Sequence, residues 1–414
     1  MKITKCRICG GTHFDSIVNL GYQKMTGIFP KEGQDIEGGE LNLIKCTEKN
    51  GCGLIQLDES FESNLMYGDN YGYRSGLNSS MVEHLSEIVD YITNTIELDE
   101  SDLVVDIGSN DGTLLGIYEM KSDKELTRIG IDPTGEKFRK YYKNGIRLIA
   151  DFFSAERIKD VCKKKAKVIT SIAMFYDLED PIGFAKDIYN LLDDNGIWIT
   201  EQSYCPSMIE ACAYDTICHE HLEYYSLKQL QWIAEQANLK IIDVELNDTN
   251  GGSFRLTICK KDACYSTKHT VADLEKFEEE NDVNSIDYTR EFVRKIKESA
   301  SDLLTFLNEK KEDGELVLGY GASTKGNVIL QYCGITKELL PAIMEVNPDK
   351  YSCVTPGTSI PIISEEAGRK LNPNYILVLP WHFKENIIAK EQQYINESGC
   401  KFVFAFPKFE IIER

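Results

Sequence analysis

Apolar and polar positions change their rhythm several times along these 414 residues. Up to about residue 75 the apolar runs are short and broken by glycines and polar residues, which reads as a loop-rich region. After Leu77-Asn78-Ser79-Ser80 the apolar positions Met81, Val82, Leu85, Ile88, Val89 and Ile92 follow a helical period. From Leu103 onward, short apolar runs alternate with helical stretches. Leu103–Ile107, Arg128–Ile131, Val168–Ile172 and Gly196–Glu201 read as buried strands, and Pro181–Leu192 and Leu227–Ala237 as helices. That alternation predicts a parallel, doubly wound sheet. Ile241–Leu246 and Ser253–Lys260 would form its antiparallel end. Residues 268–313 read as long charged helices. The α/β rhythm then returns at Glu315–Gly319, Ala342–Val346, Tyr375–Leu379 and Lys401–Ala405. The pattern predicts an α/β protein of three parts: an N-terminal module over 1–75, a Rossmann-like domain over 76–250 and a second α/β domain over 251–414.

The formal charge of −21 argues against nucleic acid, whose phosphates would be repelled. No apolar run is long enough to span a membrane, and Met1–Cys6 begins no secretory signal. A cytoplasmic protein, monomeric or weakly self-associating, is the expectation. In a reducing compartment, clustered cysteines point to metal rather than to disulfides. Cys6 and Cys9 are spaced C-x2-C, and Cys46 and Cys52 form a second pair spaced C-x5-C. Four thiolates make a closed tetrahedral site suited to structural Zn2+, which would supply stability that a small apolar core cannot. Four free thiols are the alternative, and His13 is a less favoured ligand.

Val104–Leu115 runs from a strand through glycines 108 and 112 into a helix. Gly108 permits close approach of a ligand, and Asp106 stands at the strand end, where open α/β sheets bind nucleotides. The G-x-G-x-x-G dinucleotide fingerprint is absent. Asp106 and Asp111 would repel a pyrophosphate but suit a cationic sulfonium nucleoside. Asp132, followed by Pro133, is placed to accept ribose hydroxyls. Asp151 with Phe152 has the character of an adenine-edge acceptor beside apolar rings. Tyr214–Tyr225 carries His219-Glu220-His221 after the strand that ends near Glu201. This segment admits a general base tuned by Glu220, a metal site using Cys218, His219 and His221, or a structural turn. A second glycine loop, Gly319–Gly326, opens a helix and holds Ser323 and Lys325. It reads as a diphosphate cradle or as a tight turn, with His382 in the same cleft.

These motifs together resemble the sugar C-methyltransferase family, whose members are three-domain enzymes that methylate nucleotide-linked 4-keto sugars. The resemblance rests on the cysteine pairs, Asp106–Thr113, His219-Glu220-His221, Gly251-Gly252-Ser253, Gly319–Asn327 and Pro356-Gly357-Thr358. It implies S-adenosylmethionine (SAM) as methyl donor, with Asp106, Gly108, Asn110, Asp111, Asp132, Pro133, Asp151 and Phe152 as its site. It implies His221 as base, with Glu220 and Tyr73 beside it in the catalytic set. Tyr71, His219, Ser323, Lys325 and His382 would contact the sugar nucleotide. Cys218 stands where the family often has tyrosine, and Met174–Asp177 where it often has a histidine. Those two departures keep O- or N-methylation of a related sugar nucleotide as a second reading. A sugar-nucleotide-binding protein without methyl transfer is a third.

Overall fold

A computed structural model describes residues 1–62, 66 and 73–413. Among these residues there are three sheets. The central one has seven strands in the order Leu239–Asn247, Ser253–Lys260, Leu192–Ser203, Ala166–Ile172, Leu103–Ile107, Thr127–Ile131, Ile146–Ile149. Its last five members are parallel, and the first two run antiparallel as a hairpin. All five residues of Leu103–Ile107 are buried, as a strand covered on both faces requires. Helix Ser79–Thr95 lies on one face and buries Met81, Leu85, Ile88, Val89 and Ile92. Helices Pro181–Leu191 and Leu227–Gln236 lie on the other. Asp180 caps the first of these through Gly183 N, and Ser226 with Gln229 forms a capping box on the second.

Ser253–Lys260 belongs to the central sheet, so a division at residue 250 cuts between two hydrogen-bonded strands. The unit closes only after the hairpin, because Ser253–Lys260 pairs on both its edges. The C-terminal sheet runs Ile362–Ser364, Ile343–Glu345, Val317–Tyr320, Tyr375–Val378, Lys401–Phe404, Glu410–Ile412, all parallel except the last. In both sheets the first strand of the parallel set lies in the middle, where strand order reverses and ligands bind.

The N-terminal region differs from its reading as loops. Phe14–Lys24 and Gly38–Cys46 are long antiparallel strands, joined by Ile55–Leu57. Buried Val18, Leu20, Leu41 and Leu43 alternate with Asn19, Glu40 and Asn42, a period-two pattern diluted by short polar side chains. The fourth strand of this sheet is Glu223–Tyr224, immediately after the His-Glu-His segment. No described helix is long and apolar enough to cross a membrane.

Candidate active site

The four N-terminal cysteines meet. Cys6 and Cys52 sulfurs are 3.5 Å apart, as are Cys9 and Cys46, and all four lie within 4.8 Å of one another. A tetrahedral zinc with bonds of about 2.3 Å needs sulfurs about 3.8 Å apart, so the set fits that ion. Burial, followed by hydrogen bonding and charge among the thiols, pushes Cys46 up to about 12, a strain that a bound dication relieves. His13 instead pairs with Glu48 on the surface, 2.8 Å away. Arg7, between two of the cysteines, donates to Leu57 O and Ser60 Oγ and thereby ties the metal knuckle to the end of the N-terminal sheet.

At the first glycine turn the backbone is left-handed at Gly108, Asn110 and Gly112, with φ of 71°, 50° and 76°. This curls the chain around the sheet edge. Asp132 reaches back to accept Asn110 N at 2.8 Å, and its other oxygen accepts Thr134 N at 2.6 Å. Pro133 lies between those two anchors. Asp106 is buried against Thr170 Oγ1, 2.6 Å away, and burial raises its carboxyl to about 7. Asn110 and Asp111 turn their side chains toward the preceding segment. Asn110 Oδ1 accepts Ser75 N at 2.9 Å and Asp111 Oδ2 accepts Gly76 N at 3.0 Å. Asn110 Nδ2 also donates to Tyr73 O at 3.2 Å. These two side chains therefore clasp the Tyr73–Gly76 stretch over the turn. Tyr73 itself is about half exposed, and Tyr71 lies outside the described residues. Asp151 pairs with Arg157 at 2.7 Å beside an exposed Phe152.

The His-Glu-His segment is held from three sides. His219 is fully buried, its Nε2 3.2 Å from Gln23 O and its ring edge-on to Phe61. It faces the N-terminal sheet and not the cavity, so the structure gives it a bolting position in place of the expected substrate contact. Glu220 packs on Gly27, where a Cβ would lie 2.0 Å from Glu220 Oε1. Gly27 is thus required by close approach. Burial raises the Glu220 carboxyl to about 7. His221 donates from Nδ1 to Thr216 O at 2.8 Å, since a carbonyl can only accept, and this leaves Nε2 as the basic nitrogen. Burial first, and the charge of Lys325 second, lower His221 to about 3. Its ring lies 4.4 Å from that of Tyr176, and it lines a small cavity with Met208, Thr216 and Glu223. His219 and His221 turn to different carbonyls, Gln23 O and Thr216 O, and among the described residues only the four N-terminal cysteines group as metal ligands, so the segment is no metal site.

The C-terminal domain closes the arrangement. Trp381 donates its indole N–H to the buried Asp215 at 2.8 Å. Lys325 reaches across to Asn250 O at 2.9 Å. Ser323 is occupied as the cap of helix Thr324–Tyr332, accepting Gly326 N at 3.0 Å. Ala322 N donates to Glu345 at 2.9 Å, so the second glycine loop already holds a carboxylate where a diphosphate was expected. His382 stands close enough to Lys325 to be held, by burial first and that charge second, well below its usual range. Sequence reasoning missed Asp215, Trp381 and Tyr176, as well as the pairing of His84 with Glu201 under the turn at Thr249. Only the spacing of aromatic residues around the histidines could have pointed to them.

Family comparisons match three consecutive blocks of this chain. Residues 6–67 match a "Putative zinc binding domain", residues 78–244 a methyltransferase domain, and residues 248–407 a C-methyltransferase C-terminal domain. The chain is 27% identical to C-methyltransferase NovU of Streptomyces niveus, over 99% of this chain and 97% of that one. Over its whole length the chain is thus similar to C-methyltransferases. It is a SAM-dependent methyltransferase whose cysteine cluster is a zinc-binding site. Solved structures with partial likeness include LepI in complex with SAM, at 14% identity over 48% of this chain and 51% of that one, TM-score 0.35. The plantazolicin methyltransferase BpumL with S-adenosylhomocysteine matches at 13% identity over 42% and 82%, TM-score 0.34.

Proposed function

We propose that this methyltransferase acts on a nucleotide-activated 4-keto sugar and methylates the carbon next to the ketone, with His221 as the base. The observation that carries the reading is the His221 tautomer. Thr216 O fixes the proton on Nδ1, so Nε2 faces the reaction as a neutral acceptor throughout the physiological range. SAM, when bound, supplies an already activated methyl group. Asp132, Asp106 and the turn at Gly108 would hold it, and what remains for the protein is removal of a proton and alignment. Glu220, packed on Gly27, supports the segment from behind.

The nucleoside part of the substrate would lie at the edge of the C-terminal sheet. Glu345 there repeats the placement of Asp132. Each carboxylate ends the strand beside the glycine turn, accepts an amide of that turn, and accepts the amide two residues downstream. This placement favours ribose hydroxyls over a diphosphate as the ligand of the second loop. A ligand spanning both domains meets the His-Glu-His cluster between them. The protein would work in the cytoplasm, where nucleotide sugars and reduced cysteines coexist.

The test is turnover against a small panel of 4-keto sugar nucleotides, read by mass spectrometry and proton NMR. A new methyl on a quaternary or methine ring carbon is the expected product. A methoxy or N-methyl signal would overturn carbon methylation, and no product from any keto sugar would overturn the substrate class. His221→Asn should lower turnover by about 10³-fold while SAM binding, measured by calorimetry, stays.

A further inference from the structure

Lys325 sits in the first turn of a C-terminal-domain helix, but its ammonium belongs to a different neighbourhood. It donates to Asn250 O at 2.9 Å, inside the turn Thr249–Gly251 of the central domain. That turn is pinned. Asn250 has φ 57°, Asn247 accepts Thr249 N at 3.0 Å, and a Cβ on Gly251 would lie 3.3 Å from Trp381 and 3.8 Å from His382. Trp381 in turn donates to Asp215, which is fully buried. Lys325 is thereby enclosed with Asp215, His382 and His221.

An ammonium has three donors, and one of them is accounted for by Asn250. Around it, Asp215 Oδ1 and His382 Nδ1 are buried atoms with no hydrogen-bond partner. Asp215, His382 and His221 all feel the charge of Lys325, and unsatisfied buried polar atoms around an ammonium mark a place built to receive a polar group from outside. Within the loop that bears Lys325, the Ala322 amide faces Glu345 while the lysine reaches away to Asn250 O.

We propose that Lys325 is a catalytic residue that binds the ketone oxygen and holds the negative charge of the enolate formed when His221 removes the neighbouring proton. The inference rests on the keto-sugar reading above. His221 Nε2 takes the proton, the C–H pair becomes the C=C bond, and the carbonyl π pair moves onto oxygen beside the ammonium. The enolate carbon then attacks the methyl of SAM. A C–C bond forms, the S–CH3 bond breaks with its pair left on sulfur, and the ketone is restored. The imidazolium afterwards returns its proton to solvent. The arrangement also relieves the second of the two causes that hold His221 low, burial being the first. Negative charge growing on the oxygen cancels the field of Lys325, so the basicity of His221 rises as the proton moves.

Wild type, K325M and K325R are compared in four measurements. These are SAM affinity by calorimetry, affinity for UDP, TDP and GDP, turnover, and exchange of the hydrogen next to the ketone with D2O in the absence of SAM. K325M should bind SAM and the nucleoside diphosphates within about 3-fold of wild type, yet lose about 10²–10³-fold in both turnover and exchange. K325R should recover part of the exchange, and the acid limb of kcat/KM should move upward in K325M as His221 is released from the lysine's field. Should K325M not fold, K325Q carries the same comparison. Full turnover in K325M, or a loss explained by weaker nucleoside diphosphate binding, overturns the proposal and leaves the keto-sugar reading standing. A wild-type enzyme inert toward every keto sugar overturns both.

Discussion

The chain contains two glycine turns written in nearly the same grammar, and they do different things. Each follows the middle strand of a parallel sheet, opens a helix, and is answered by a carboxylate at the end of the neighbouring strand: Asp132 for the first turn, Glu345 for the second. The first turn is serviced locally, by the Tyr73–Gly76 stretch just ahead of it in sequence. The second is built into the junction. Its helix bonds the N-terminal sheet through Asn327 to Thr26 O at 2.8 Å and through Gln331 to the backbone of Lys24, and its lysine crosses to the central domain. A cofactor common to many methyltransferases can be held by one domain alone. The proposed site for the methyl acceptor would draw on all three.

The largest expected effect separates the turns by their dependence on zinc. Removing the metal with a chelator dismantles a structural contribution of about 10 kcal/mol to the N-terminal module. Turnover should collapse while the affinity for SAM changes by less than about 3-fold, because the first turn is held by Asp132 and by the Tyr73–Gly76 stretch and not by the cysteine cluster. Calorimetry on metal-free protein decides this, and a parallel loss of SAM binding would break the contrast. Next come the two carboxylates. Asp132→Ala should weaken SAM by about 100-fold and spare the nucleoside diphosphate, and Glu345→Ala should do the reverse, since charge-assisted hydrogen bonds to a ligand contribute about 1.5–3 kcal/mol each. If both variants weaken the same ligand, the turns are not two sites.

A smaller effect concerns pH. The carboxyl of Glu220 is raised in the fold to about 7 from an ordinary 4.5, so the fold favours its protonated form. That stability is fully present below pH 4.5 and is lost as pH rises through 7. Glu220→Gln should therefore be more stable than wild type at pH 8, by on the order of 2 kcal/mol, and no more stable at pH 4.5. Thermal melts at both values check it. The smallest is Asn327→Ala, which removes the bond to Thr26 O and should cost about 1–2 kcal/mol, with KM for the acceptor rising more than KM for SAM.

The contrast also explains what could be read from the chain. Leu103–Ile107 and Ser253–Lys260 were legible because burial on both faces, or strict partnering, leaves a local apolar signature. The zinc cysteines were legible because ligand chemistry fixes residue type and spacing. The N-terminal sheet was not, because Asn19, Glu40 and Asn42 dilute its alternation and its last strand is two residues from far along the chain. The His-Glu-His segment announced itself, but the different fates of His219 and His221 depend on Gln23 and Thr216, one distant and one local carbonyl that no pattern distinguishes. Lys325 was found by its loop and assigned to that loop's ligand. Its true surroundings come from a turn 75 residues earlier in the sequence.

The strand Glu223–Tyr224 has one more consequence, for how the molecule is made. Three strands of the N-terminal sheet leave the ribosome first, and its fourth arrives only after five strands of the central sheet have been synthesised. Until then the edge of Ile55–Leu57 is unpaired, a template for pairing with the wrong chain. Closing so long a loop is slow, because its entropy is spent before the contact is gained. The His-Glu-His segment is thus set in place late, when the first and middle parts of the chain lock together, and a half-made chain holds the strands of the central sheet without that segment in place.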